Sequence, residues 1–255
     1  MIAALGMYDR PELRSDTDRF WTLIRDGLRA EGIAAPEALT RDERAYLPGW
    51  LSPDLLLAQT CGLPLRSVLR DRVTLVGTPD YGLEGCPPGH YRSLLIARHD
   101  DPRQGEAAFA HTRFAVNDAL SQSGWAAALQ HMEGLGLPLT PALETGGHVA
   151  SARAVAEGRA DWAALDAMTW RLICAHDPAL AAALRVFGAT RPTPGLPLIT
   201  AQGRDPDPLR RAVSAAMDAL DPASRARLGL RGLVVIPLAS YHALPVPPPP
   251  VLRID

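Results

Sequence analysis

The chain has 255 residues, 47% of them hydrophobic and 21% charged, with a formal net charge of −2. This length suffices for one large domain or two of ordinary size. The near-neutral charge argues against a nucleic-acid partner or an anionic membrane surface, and no run approaches the ~18 apolar residues of a membrane span, so direct membrane insertion is not expected. All 26 basic residues other than His are Arg. Without Lys there is no P-loop lysine and no Schiff base, and any cationic contact must come from Arg, His or a helix terminus.

The opening segment "MIAALGMYDRPELRSD" lacks the basic n-region and full-length apolar h-region of a secretory signal. The expectation is therefore a cytoplasmic chain, or an exported one whose leader lies outside this sequence. Ile2 to Leu5 is a short apolar run. A helix follows, with Leu13, Phe20, Ile24 and Leu28 on one face and Gly32 as its stop signal. "DLLLAQT" (54–60), "RVTLVGT" (72–78), "YRSLLIAR" (91–98), Phe114 to Val116 and Leu139 to Leu143 read as strands. "HVASARAVAEG" reads as a helix ended by Gly158, "WAAL" as a strand, and Asp166 to Ala175 as a helix. Arg185 to Gly188 and Leu196 to Ala201 return to strand, and a helix covers Pro208 to Leu220. The tail "PLASYHALPVPPPPVLRID" is proline-rich and expected to be extended.

Such alternation predicts an α/β fold with mostly parallel sheets, in which ligands sit where strands lead into helix N-termini. Polar clusters fall at those places: "MYD", "QTCG", "NDALSQS", "ETGGH" and Asp166. Ser121 and Ser123 could cap a helix. They could also receive an anion, because the free N–H groups and the dipole of a helix start both point at such a turn. The three cysteines fit no metal spacing. Cys174, within an apolar helical pattern, is expected to be buried. Cys61 and Cys86 follow neighbouring strands and are expected close together, as a disulfide in an oxidising compartment and as thiols in the cytoplasm. The seven histidines show no H-E-x-x-H pair, and "SQSGW" is not a G-x-S-x-G elbow. No metal, cofactor or catalytic set is expected.

"TGGHVASARAVAEGRADWAALD" (145–166), "SQSG" (121–124) and "TRPTPGLP" (190–197) carry a resemblance. The chain resembles the phosphate/phosphonate-type substrate-binding proteins of ABC transporters, which have the type 2 periplasmic-binding-protein fold. That resemblance implies two α/β lobes joined by two crossover segments, with residues 1–92 and 190–255 in one lobe and 93–189 in the other. It implies a small oxyanion (phosphate, a phosphonate or another small acid) bound without catalysis in a cleft between the lobes. It further implies a periplasmic location, a monomer and an ABC permease as partner. The alternatives are a cytoplasmic ligand sensor and a small-molecule enzyme using the same fold. The candidate ligand contacts are Tyr8, Gln59, Thr60, Tyr81, Asn117, Ser121, Ser123, His148 and Asp166. Each has a structural reading beside it: helix capping for Ser121, Ser123 and Asp166, rim packing for the two tyrosines, turn closure for Gln59, Thr60 and Asn117, and a surface position near a helix start for His148. Trp162 and Trp170, among Ala, Leu and Met, are expected in the core.

Overall fold

The computed structural model describes residues 1–252. The strands, in chain order, are β1 (Ile2–Ala4), β2 (Leu55–Gln59), β3 (Val73–Asp80), β4 (His90–Tyr91), β5 (Ser93–Arg98), β6 (Arg113–Val116), β7 (Thr140–Glu144), β8 (Trp162–Asp166), β9 (Leu184–Ala189), β10 (Thr193–Pro194), β11 (Leu198–Ala201) and β12 (Gly232–Val234). The chain folds into two compact units. The first comprises Met1–His90 with Pro194–Leu244, and the second comprises Tyr91–Thr193 with the segment from Pro245 onward.

The first unit is built on a five-stranded sheet of order β1-β2-β11-β3-β12. Side chains alternate along its strands with the period of two that a pleated backbone imposes. Ala3, Leu57 and Leu198 face one core with Phe20, Ile24, Leu28, Leu209 and Val213. Ile2, Ala4, Ala58 and Ile199 face another with Trp50, Leu65 and Tyr241. The helix Arg14–Ala30 presents the predicted apolar stripe, every member of which is buried, and Gly32 takes the left-handed φ of +76° just beyond its end. The helix Asp207–Ala219 packs beside it, close enough that a Cβ on Gly27 would sit 3.7 Å from the Cβ of Ala212. Asp16 and Arg227 join distant parts of this unit through two hydrogen bonds of 2.7 Å.

The second unit has a sheet of order β7-β6-β8-β5-β9. Ile96, Ala115, Ala163 and Leu165 pack with Ala152, Val155 and Ile173 on one side. The alternate residues Phe114 and Trp162 join an aromatic cluster with Phe109 and Phe187, whose stacked rings are 4.1 Å apart. Trp162 is fully buried and Trp170 packs against the first of these cores.

Three sequence expectations are corrected. The sheets are mixed: β1–β2, β6–β7 and β6–β8 are parallel, whereas β11 with β2 and β3, β12 with β3, and β5 with β8 and β9 are antiparallel. A parallel neighbour must be fed by a crossover helix, but β5 and β11, entered directly from short segments, carry no such constraint. The tail from Pro245, expected in the first lobe, belongs to the second unit, where the Trp125 indole N–H donates to the Pro248 carbonyl at 2.9 Å. Cys174 is exposed, on the outer side of its helix, because the buried stripe there runs through Leu172 and Ile173. Cys61 is a buried thiol and Cys86 a half-buried one. Among the described residues, no helix is long and apolar enough to cross a membrane, and no cluster of His, Cys, Asp and Glu could hold a metal ion.

An ion-pair network closes the edge of the second unit. Asp101 accepts from the backbone and the guanidinium of Arg103, both at 2.9 Å, and Asp161 links Arg103 at 3.0 Å to Arg113 at 3.1 Å. The Arg103 hydrogen bond, opposed in part by burial, holds the Asp101 carboxyl down at about 2. A carboxyl depressed in the folded state contributes stability that is complete above its unfolded value, near 4, and is lost as pH falls through the folded value. Because Arg103 is partly solvated, the contribution is about 1–2 kcal/mol. Urea unfolding followed from about pH 5 to about pH 2 should show this loss in the natural sequence and a flatter profile in Asp101→Asn. Identical slopes would show that the pair contributes nothing.

Candidate functional site

Because β6 lies between β7 and β8 and runs parallel to both, three strand carboxyl ends stand side by side. Each leads through a short turn into a helix, so three helix N-termini gather at one edge of the second unit. The first four N–H groups of a helix have no intrahelical acceptor, and their dipoles sum to roughly half a positive charge.

The turn after β6 is the most constrained. Ser121 has extended backbone, and its Oγ accepts from the Gly124 N–H at 2.9 Å. The Ala126 N–H donates to the Ser121 carbonyl at 3.1 Å, five residues back, so Gln122–Ala126 is a π-helical turn before the α-helix Ala127–Gly134. Such turns are rare and concentrate at functional sites. Ser93 Oγ donates to the Ser123 carbonyl at 2.8 Å. Asn117 lies against the bare face of Gly124, where a Cβ would fall 1.8 Å from Asn117 Oδ1. That oxygen is buried without a hydrogen-bond partner.

The turn after β7 is open by contrast. Gly146 has φ of +82°, and Gly147 caps the helix His148–Ala156 with no side-chain hydrogen bond. Nothing lies within 4 Å of a Cβ built on either glycine. Thr145 anchors the turn from behind, with its N–H on the Val116 carbonyl at 2.9 Å and its hydroxyl 2.7 Å from Ser151 Oγ. The turn after β8 is closed by the chain's own carboxylate. Asp166 Oδ1 accepts from the Thr169 N–H at 2.9 Å, and Oδ2 accepts from the Thr169 hydroxyl.

His148 joins the three turns. Its Nε2 is 2.8 Å from Ser123 Oγ and 3.4 Å from Asp166 Oδ2. Burial pushes the His148 pKa down, with the Asp166 charge acting in the opposite direction, so the ring is neutral at pH 7. The carboxylate favours the proton on Nε2, because a lone pair there would face a negative charge. Nε2–H then donates toward Ser123 Oγ, and the serine hydroxyl keeps a proton to donate elsewhere. In the other tautomer the serine hydroxyl proton is spent on Nε2. Ser121 accepts the Gly124 N–H while its own hydroxyl proton remains available. The set is therefore rich in neutral donors. It differs from a nucleophilic triad, in which serine and acid bond opposite ring nitrogens. Here both face Nε2.

The other four candidates lie in the first unit. Gln59 Nε2 donates to the Tyr81 hydroxyl at 3.0 Å and reaches the Leu196 carbonyl at 3.4 Å. The Tyr8 and Tyr81 rings meet edge to face, with centroids 5.2 Å apart. Thr60 is fully buried, its N–H on the Pro197 carbonyl at 2.9 Å and its hydroxyl without a partner. A hollow of about 40 Å³ opens beside Tyr8, Gln59 and Tyr81, walled mainly by Phe20, Leu198 and Leu228.

Sequence reasoning missed Ser93, Thr145, Ser151 and Thr169, which hold the three turns in place. Only Thr169 left a signal, standing three residues after Asp166 in the spacing of a helix cap. Ser93, Thr145 and Ser151 act through partners that the sequence does not place.

Residues 51–239 match a family model described as "ABC transporter, phosphonate, periplasmic substrate-binding protein". A comparison with curated protein sequences finds no match. Among solved structures, the chain is similar to PhnD1 from Prochlorococcus marinus in complex with methylphosphonate, with TM-score 0.71, 15% identity and 94% of each chain covered. It is similar to a binding protein component of an ABC phosphonate transporter from Pseudomonas aeruginosa, with TM-score 0.68, 17% identity, and 91% of this chain and 80% of that one covered. A Xanthomonas citri protein bound to ATP has TM-score 0.69 and 18% identity, over 95% of this chain and 94% of that one. The fold is accordingly that of two-lobed periplasmic binding proteins.

Two glycine substitutions separate the constrained turn from the open one. Gly124→Ala forces Asn117 out of place and should cost about 1–3 kcal/mol of overpacking, measured by urea unfolding. Gly147→Ala, at an extended backbone position with open space around it, should change stability by no more than about 0.5 kcal/mol. A tolerated Gly124→Ala would show that the turn is loosely packed.

Proposed function

Since the chain belongs to the phosphonate periplasmic substrate-binding family of ABC transporters, we propose that the turn Ser121–Ser123 and His148 hold a tetrahedral oxyanion, a phosphonate or phosphate. The observation that carries this reading is the 2.8 Å contact of Ser123 with His148 beside the uncapped N-terminus at Gly147. Helix starts favour anions, and hydrogen bonds from neutral donors to charged oxygens are stronger than neutral pairs. Ser121 and Ser123 supply hydroxyl donors, and His148 both fixes Ser123 and contributes its own N–H.

Asn117 borders the same turn and is assigned to the ligand's periphery. Asp166 is assigned an indirect part, because its oxygens already cap a helix and face His148. The family acts in the periplasm, delivering a small ligand to a permease. We read this chain as a monomer, and as one that binds without turnover; the second reading is supported by the histidine geometry, in which Ser123 and Asp166 face the same ring nitrogen.

The test is titration calorimetry with methylphosphonate and with inorganic phosphate. Ser123→Ala and His148→Ala should each weaken binding by about 10- to 150-fold, the range for a lost charge-assisted hydrogen bond. Unfolding free energy should fall by about 1 kcal/mol in Ser123→Ala, as for one lost hydrogen bond, and by more in His148→Ala, which vacates a buried ring. Unchanged affinity in both variants would reduce the turn to a helix cap.

A further inference from the structure

The π-helical turn that carries Ser121 and Ser123 is an intrinsically poor helix start, and something must hold it. Its hydrogen bond spans five residues instead of four, from the Ala126 N–H to the Ser121 carbonyl. Ser121 Oγ supports it from within through Gly124, and Ser93 supports it from strand β5, on the far side of β8, through the Ser123 carbonyl. The third support comes from the far end of the sequence. Trp125 is 4% exposed, and its indole N–H donates to the Pro248 carbonyl at 2.9 Å, across 123 positions of the chain. A buried indole N–H without an acceptor would carry the full cost of its desolvation, and the Pro248 carbonyl offsets that cost. The tail suits the part. Between Pro247 and Pro250 the prolines have fixed φ and no N–H groups, so the run offers carbonyl acceptors only and has little conformational freedom to lose when it is laid down.

We propose that the proline-rich segment from Pro245 is a positioning element for the oxyanion turn, acting through the Trp125–Pro248 hydrogen bond. Trp125 lies two residues beyond Ser123 and one beyond Gly124, within the same turn. Fixing its ring fixes the direction in which the first N–H groups and the Ser123 hydroxyl point. The tail thereby lowers the ordering cost of ligand binding, since the donors are already aimed before an anion arrives. This inference rests on the proposed function only for its effect on affinity; the rigidity of the turn follows from the geometry alone.

The experiment compares the full chain, Trp125→Phe, a chain ending at Leu244, and the two changes combined. Trp125→Phe keeps an aromatic ring and deletes the donor. In the ligand-free proteins, amide exchange at Gly124 and Ala126 is followed by NMR. It should quicken about 3- to 10-fold in each single variant, as for one lost hydrogen bond. The combined variant should exchange no faster than the truncated chain, because both changes remove the same bond. Methylphosphonate affinity should fall by a similar factor in calorimetry. Exchange equal to that of the full chain in both single variants would overturn the positioning role, and so would additive effects in the combined variant. Faster exchange in a protein whose full-length form binds neither methylphosphonate nor phosphate would uphold the positioning role and overturn the oxyanion reading instead.

Discussion

The candidate site depends on one constraint: β6 lies between two strands that run parallel to it. That placement sends three consecutive strand-to-helix turns to the same edge of the sheet, and each arrives with N–H groups that the helix itself cannot satisfy. The three turns resolve this differently. After β8 the chain supplies its own anion, Asp166, and the N-terminus is closed. After β6 a serine caps one N–H, and a π-helical turn displaces the rest. After β7 only glycine stands at the cap. The result is an edge where donors outnumber the acceptors the chain provides, which is the condition for receiving an anion from outside.

The electrostatics are restrained. No Lys exists in this chain, and two arginines of the second unit, Arg103 and Arg113, are paired with Asp101 and Asp161. The donors around Ser123 are hydroxyls, a neutral imidazole and helix termini, and the carboxylate of Asp166 stands 3.4 Å from the histidine. Such a set binds an anion by directed hydrogen bonds instead of net attraction. Directed bonds have sharp distance and angle preferences, so the precision of the turn matters more than its charge. Gly124, Asn117, Ser93 and Trp125 supply that precision, although only Asn117 was a candidate contact from the sequence.

Element identity was largely legible in the sequence, because it rests on periodicity within short windows. The stripe Leu13, Phe20, Ile24, Leu28 is buried throughout, and strand-like runs such as "DLLLAQT" and "WAAL" are strands. Sheet order and strand direction were not legible. Nothing in "SLLIAR" announces that β5 will lie antiparallel between β8 and β9. The placement of the tail was misread for the same reason: the acceptor for Trp125 is a carbonyl, and backbone carbonyls leave no mark in a sequence. At the site, Ser121, Ser123, His148 and Asp166 were recognised by their position at strand ends, and the structure brings Ser123, His148 and Asp166 within hydrogen-bonding or near-contact distance. What the sequence could not give was the shared nitrogen. That both Ser123 and Asp166 address Nε2 depends on the angle at which the helix after Gly147 enters, and this detail distinguishes an anchored donor from an activated nucleophile.

The central claim is that the Ser121–Ser123 turn and His148 converge on one oxyanion, and the most direct measurement is a crystal structure of the protein with methylphosphonate. The account predicts a phosphonate oxygen within about 2.7–3.1 Å of the Ser123 hydroxyl, with a second hydrogen bond from the His148 ring or from the N–H groups of the turn. An anion bound elsewhere in the second unit, with Ser123 and His148 still bonded only to each other and to Asp166, would contradict it.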